Sequence, residues 1–313
     1  MKTKKLTLIL TIFVLFLFFY YFINNLDSFK VLLHISLWKL FFIVILKSVS
    51  IFIIGQFVKV ILQAFRLKVS NAQSFYISIL STIGNFLTPF RGGAGLRAIY
   101  LKRKFNLSYS YFLSTLSGSY IVTFLVTSFI ALLSLIIINI RTGIYSIGIY
   151  CFFLSMFCIT FFLSIYKIPK SIFSRRFHIT LIDRFFKSLQ KVIIGWNNIS
   201  QNKILLVKLF TLSVISLVIA FLISYLEFNS IGLSIPIEHL ILYICLSLAS
   251  LLISLTPGSI GIKEGILFLS SGIIGITNEQ VLQVAVIDRG IQFLVLIILS
   301  LLSTRIKRSE TLK

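Results

Sequence analysis

Residues 87–101 read LTPFRGGAGLRAIYL, and residues 255–269 read LTPGSIGIKEGILFL. Both open on Leu-Thr-Pro, and both place a glycine four residues after the proline, Gly93 and Gly261. The offset between them is 168 residues. Each copy sets Pro, Gly and charge among apolar residues. Lipid offers backbone groups no hydrogen-bond partner, so a helix broken at membrane depth must be covered by protein or line a watery cavity. Paired breaks at corresponding positions of two halves are a pointer to a transporter-like site. The alternative is chance recurrence of Leu-Thr-Pro in a Leu- and Ser-rich chain. The flanking elements match at the same offset, which argues against chance.

Composition fixes the class. The chain is 58% hydrophobic and 12% charged, with a mean hydropathy of +1.04; a soluble domain has about a quarter charged residues. Apolar runs long enough to span a bilayer recur from end to end, so an all-α polytopic membrane protein is expected. No stretch is long enough for a soluble catalytic domain; the longest polar one runs from about Lys167 to Lys203. The net charge of +22 comes from 30 Lys/Arg against 8 Asp/Glu. The basic residues cluster in short loops, which reads as positive-inside topology and attraction to anionic headgroups, with no nucleic-acid partner. Cys151, Cys158 and Cys245 sit in apolar runs without metal or disulfide spacing and read as small packing residues.

Taken in order, the chain predicts six full spans and two re-entrant hairpins, with both termini cytoplasmic at the cell membrane. The start, MKTKKLTLILTIFVLFLFFYYF, has a basic leader-like end. Its apolar run is too long for a signal peptide, and it reads as an uncleaved helix over about Leu6–Ile23. The other spans cover about Leu37–Phe65, Ser108–Ile140, Ile144–Tyr166, Ile204–Phe228 and Gln280–Leu302. The first hairpin starts at about Ser74 and closes at Lys102, Arg103 and Lys104; the second covers about His239–Ile276. Between them Ile182, Phe185, Phe186, Leu189, Ile193 and Trp196 recur at helical spacing. They mark an amphipathic helix, within about 170–200, lying on the inner leaflet. Shifting by 168 residues maps helix onto helix and hairpin onto hairpin. The single transmembrane domain, residues 1–313, is thus expected to hold repeats of about 1–140 and 141–305 with inverted topology.

The tips carry the chemistry. The first supplies Arg91 and Arg97, beside Gly92, Gly93 and Gly95, whose backbone can turn freely and approach a ligand. A guanidinium fork suits a phosphate oxyanion. The alternative is that both arginines snorkel to the surface or pair with a carboxylate. The second tip supplies Lys263 and Glu264, with Gly261 and Gly265 as a small-xxx-small pair of the kind that favours close helix packing. A carboxylate in the bilayer is a functional candidate and needs a partner; Arg91, Arg97 and Lys263 are the candidates for Glu264. Asp288 and Arg289, inside the last span, pair across the bundle, or Asp288 carries a proton. Glu227 and Glu238 are expected to be solvated at the outer boundary. His34, His178 and His239 are scattered. No catalytic constellation, metal site or cofactor is expected.

These residues resemble the lysylphosphatidylglycerol synthase transmembrane-region family of flippase-like integral membrane proteins. That family shows an early P-x-R-x-G motif followed by an Arg, here Pro89, Arg91, Gly93 and Arg97. It also shows a late P-G-x-x-G-x-x-E motif, here Pro257, Gly258, Gly261 and Glu264. Two positions depart from the common pattern: Ala94 stands where many members have Glu, and Ser259 where many have a second Gly. The resemblance implies a protein that moves an anionic phospholipid or polyprenyl-phosphate-linked lipid between leaflets. Arg91, Gly93, Arg97, Gly261 and Glu264 would then hold substrate, with Glu264, Asp288 and Arg289 balancing charge or carrying a proton. Members include the membrane halves of multiple peptide resistance factors, whose separate C-terminal domain performs aminoacyl transfer. That domain is not found here, so lysyl transfer by this chain alone is not expected. Two alternatives remain: a non-catalytic subunit presenting lipid to a separate aminoacyl- or glycosyltransferase, and a small-solute or ion transporter.

Overall fold

The computed structural model describes residues 35–169 and 180–311, with the backbone alone at 180–187 and 304–311. The helix expected at Leu6–Ile23, with Lys2, Lys4, Lys5, Asp27 and His34, lies outside the described residues, as does His178. Among the described residues the chain is all α-helical. The order is α1 (Leu37–Gln63), α2 (Asn71–Leu87), α3 (Gly92–Phe105), α4 (Tyr109–Thr142), α5 (Ile147–Ile165) and α6 (Thr180–Ser200). Then come α7 (Lys203–Ser230), α8 (Ile237–Ala249), α9 (Ile262–Leu269), α10 (Ser271–Ile274) and α11 (Asn278–Thr311). Among the described residues five helices are long and apolar enough to cross a membrane: α1, α4, α5, α7 and the Asn278–Ser303 part of α11. Helix α2, with 17 residues, extends about 26 Å, short of the roughly 30 Å hydrocarbon core.

Small and self-satisfied residues let the helices approach. Ser74, Ser78 and Ser81 of α2 are buried, and each hydroxyl donates to a carbonyl three or four residues back. A polar side chain that bonds its own helix costs little at a dry interface, and its small size admits close backbones. A Cβ built on Gly55 of α1 would lie 3.0 Å from the Ser74 carbonyl oxygen, so α1 and α2 meet almost backbone to backbone. Helix α5 packs mainly on α4 and leaves Ile147, Leu154, Ile159, Phe162 and Ile165 exposed, an apolar belt suited to lipid. Cys245 is buried as expected, whereas Cys151 and Cys158 on α5 are exposed; they face outward because α5 has only one packed side.

The amphipathic segment docks on protein. In the C-terminal half of α6, Trp196 is buried, and its indole N–H donates to the Leu163 carbonyl at 3.0 Å. The Asn197 amide brackets Ile168, accepting from its N–H at 3.2 Å and donating to its carbonyl at 2.9 Å. Gly195 abuts Ser114 of α4, whose hydroxyl donates to the Val192 carbonyl at 2.9 Å. The apolar stripe of this half is therefore occupied by α1 and α4, with Trp196 clustering on Ile61 and Val122. The side chains of Ile182, Phe185 and Phe186 lie outside the described residues.

Candidate functional site

The two Leu-Thr-Pro stretches fold alike. In each, an extended Thr precedes a single 3-10 turn opened by the proline, Pro89–Arg91 and Pro257–Ser259. Two consecutive left-handed residues follow each proline: Phe90 and Arg91 (φ 53° and 52°), then Gly258 and Ser259 (φ 57° for both). The left-handed region costs a non-glycine residue roughly 1–2 kcal/mol, so three such residues at two tips mark geometry imposed by the surroundings. The glycines after Pro89 do not make the turn. Gly92 and Gly93 lie in the first turn of α3, where Gly93 presses on the Ser81 carbonyl and Asn85 of α2. Gly261 does take a positive φ, 82°, as the residue capping α9. Nothing lies within 4 Å of a Cβ built on Gly265, so Gly261 and Gly265 form no helix-packing seam.

The tips touch. The Phe90 N–H donates to the Leu255 carbonyl at 3.4 Å, and Arg91 Nε donates to Ser254 Oγ at 3.0 Å. Beside this junction lies a cavity of about 380 Å³. Helices α1, α2, α7, α8 and α11 and both tips contribute to its wall. Its lining is polar for the centre of so apolar a chain, with Ser50, Ser224, Ser247, Ser250, Ser254, Ser259, Thr82, Asn85 and Gln292. Lys47, Arg91, Lys263 and Arg289 supply positive charge, and Glu227 and Asp288 negative.

Most of these charges are paired, as intramembrane charges must be. Lys47 Nζ donates to Asp288 Oδ1 and lies 3.3 Å from Glu227 Oε1. Lys263 Nζ holds the other Asp288 oxygen at 3.1 Å. Behind the wall, Glu264 Oε1 accepts from Arg289 at 3.0 Å, while its Oε2 accepts the Gly261 N–H at 2.7 Å. Arg289 also donates to the Gly258 carbonyl. Glu264 thus ties α9 to its own start and to α11; its partner is Arg289, outside the three candidates named from sequence. Arg91 differs from the rest. Its other donor goes to the Tyr120 hydroxyl, its guanidinium stacks 5.0 Å from the Tyr120 ring, and no carboxylate among the described residues pairs with it.

The expected site is partly assembled. Arg91, Asp288 and Arg289 line the cavity; Gly93, Gly261 and Glu264 brace its wall. Arg97 does not line it. It is buried on α3, with its guanidinium 5.3 Å from the Phe112 ring. Glu227 and Glu238 are not solvated. Glu227 is 2% exposed at the cavity, and Glu238 is buried and accepts from Arg141 at 2.8 Å. Helix α7 runs to Ser230, past the expected end at Phe228, and α8 packs on it, which covers Glu227. His239 holds the end of α10, its Nδ1 lying 3.0 Å from the carbonyls of Ile273 and Ile274. Lys47 is not among the residues expected at the site, although a Lys in the middle of the apolar run of α1 is a visible signal.

No curated protein and no solved structure matches the chain. A family model described as lysylphosphatidylglycerol synthase TM region matches residues 6–300. With the match covering nearly the whole chain, and with the two family motifs forming the tips that close on a charged cavity, the protein belongs to the lysylphosphatidylglycerol synthase transmembrane-region family of membrane proteins, which is tied to lipid handling.

Proposed function

We propose that the protein translocates an anionic phospholipid or polyprenyl-phosphate-linked lipid between leaflets, with the headgroup passing through the central cavity. The observation that carries this reading is Arg91. A guanidinium at a polar cavity whose partners among the described residues are neutral, Ser254 and Tyr120, suits an anionic headgroup. The cavity's volume of about 380 Å³ admits a headgroup and leaves the tails to the surrounding lipid. Broken helices facing each other at such a cavity are the arrangement expected of a transporter. The proposed topology has six spans, two hairpins in an inverted repeat, and cytoplasmic termini in the cell membrane, in line with the clustered basic loops.

The test is leaflet accessibility of fluorescent anionic and polyprenyl-phosphate lipids in liposomes holding the purified chain. Wild type should expose inner-leaflet lipid to an external quencher faster than protein-free liposomes. Arg91→Gln should slow this about 10–100-fold, the loss of a charge-assisted contact of roughly 1.5–3 kcal/mol, with insertion unchanged. Wild-type liposomes that behave like protein-free ones would overturn translocation. They would leave the second reading, a subunit that presents lipid to a separate transferase, to be tested by co-purification.

A further inference from the structure

The cavity holds two carboxylates in unequal surroundings. Asp288 has an ammonium hydrogen-bonded to each oxygen, Lys47 on Oδ1 and Lys263 on Oδ2. Glu227 has only a share of Lys47, at 3.3 Å. At that distance Lys47 pairs with the carboxylate by charge, and the buried Glu227 Oε1 has no hydrogen-bond partner among the described residues. Yet Glu227, with its side chain 3% exposed, is the more deeply buried of the two, since Asp288 is 21% exposed. An ionised carboxylate kept from water needs hydrogen bonds to its oxygens. Asp288 has one on each oxygen; Glu227 Oε1 has none among the described residues.

We infer that Glu227 is a proton-binding site of the cavity, loaded together with the anionic headgroup. This rests on the translocation reading and supplies what that reading lacks, a driving ion. The proton comes from water entering the cavity and forms an O–H bond at the Glu227 carboxylate. Lys47 keeps its own proton and stays on Asp288. The proton leaves to water when the cavity faces the other leaflet. The groups acting on Glu227 are Lys47 from α1, Asp288 from α11 and Lys263 from α9, with the Tyr243 hydroxyl from α8. Helices α4 and α6, which also pack on α7, present no titratable side chain to it among the described residues.

Charge makes the coupling reciprocal. With Glu227 ionised, the four cations Lys47, Arg91, Lys263 and Arg289 face three carboxylates, counting Glu264. A proton on Glu227 adds one positive charge to the cavity, which favours an anion at Arg91. By linkage, the anion favours the proton equally.

The experiment imposes a pH difference across liposomes holding the full chain and a fluorescent anionic phospholipid. One proton per lipid predicts a steady-state leaflet ratio that changes about tenfold per pH unit. In parallel, a pH dye in weakly buffered detergent reads proton uptake when the same lipid is added; wild type should take up a proton and Glu227→Gln should not. Glu227→Asp, which keeps the carboxylate, should restore uptake. Lipid exchange with a leaflet ratio that ignores the gradient overturns the proton site alone. Undiminished uptake by Glu227→Gln overturns it too. No wild-type exchange even at equal pH overturns translocation itself, and this inference with it.

Discussion

Lys47→Met should destabilise the protein by about 3–5 kcal/mol, the cost of removing one partner from a buried ion pair. Lys47 is 5% exposed and stands between Glu227 and Asp288. Met fills nearly the same volume, so the effect isolates charge from packing. Without Lys47, Glu227 has no counter-ion within pairing distance among the described residues, and Asp288 keeps Lys263 at 3.1 Å. The two carboxylates are then left in one cavity with one ammonium between them. Thermal unfolding of the purified protein in detergent reads the loss. Adding Glu227→Gln to Lys47→Met removes the orphaned charge and should recover a substantial part of it, a coupling in the roughly 0.5–3 kcal/mol range found for contacting residues. A Lys47→Met protein that melts like wild type would show that the cluster is held open to water, and that its charges do not depend on one another.

Much of the fold was legible because hydropathy is loud in a membrane chain. The runs at α1, α4, α5, α7 and α11 are long enough to count, and in each case the expected span overlaps the observed helix. The tips were legible for a related reason: Pro and Gly in apolar runs are costly, so their recurrence marks a built feature. The backbone repeats at the offset the sequence suggested, with Phe90 and Gly258 in the same left-handed conformation.

What stayed hidden was direction and depth. Helical spacing puts Arg91 and Arg97 within six residues, but a left-handed turn between Pro89 and Gly92 points them to different sides of the hairpin. Sequence carries no sign of that turn, since neither Phe90 nor Arg91 is a residue that favours it. Depth is what hides Glu227, where two further residues of helix and the packing of α8 on α7 convert an expected boundary position into a buried one. The apolar stripe of α6 was clear, but a stripe does not say what covers it; Trp196 rests on protein.

Gly93→Ala should be the most damaging single-methyl change at the first tip. A Cβ on Gly93 would overlap the Ser81 carbonyl oxygen and lie 2.7 Å from both the backbone nitrogen and the Oδ1 of Asn85. Two of those three atoms are backbone, which cannot swing aside as a side chain does. Helix α3 must then move off α2, at or above the upper end of the roughly 1–3 kcal/mol typical of overpacking. Arg91 immediately precedes α3, so the same displacement carries the guanidinium away from Ser254 and Tyr120 and out of register with the second tip. Lipid exchange should fall along with the melting temperature. Gly95 is the internal control. It sits on the same short helix two residues on, and nothing lies within 4 Å of its added Cβ. There Ala should be neutral or stabilising by roughly 0.5–1 kcal/mol, from helix propensity alone. If the two variants melt alike, α2 and α3 are not in the contact described. If Gly93→Ala melts low and Gly95→Ala does not, the glycine in the family's P-x-R-x-G motif is there for close approach of two helices, and the arginine two residues before it owes its place to that contact.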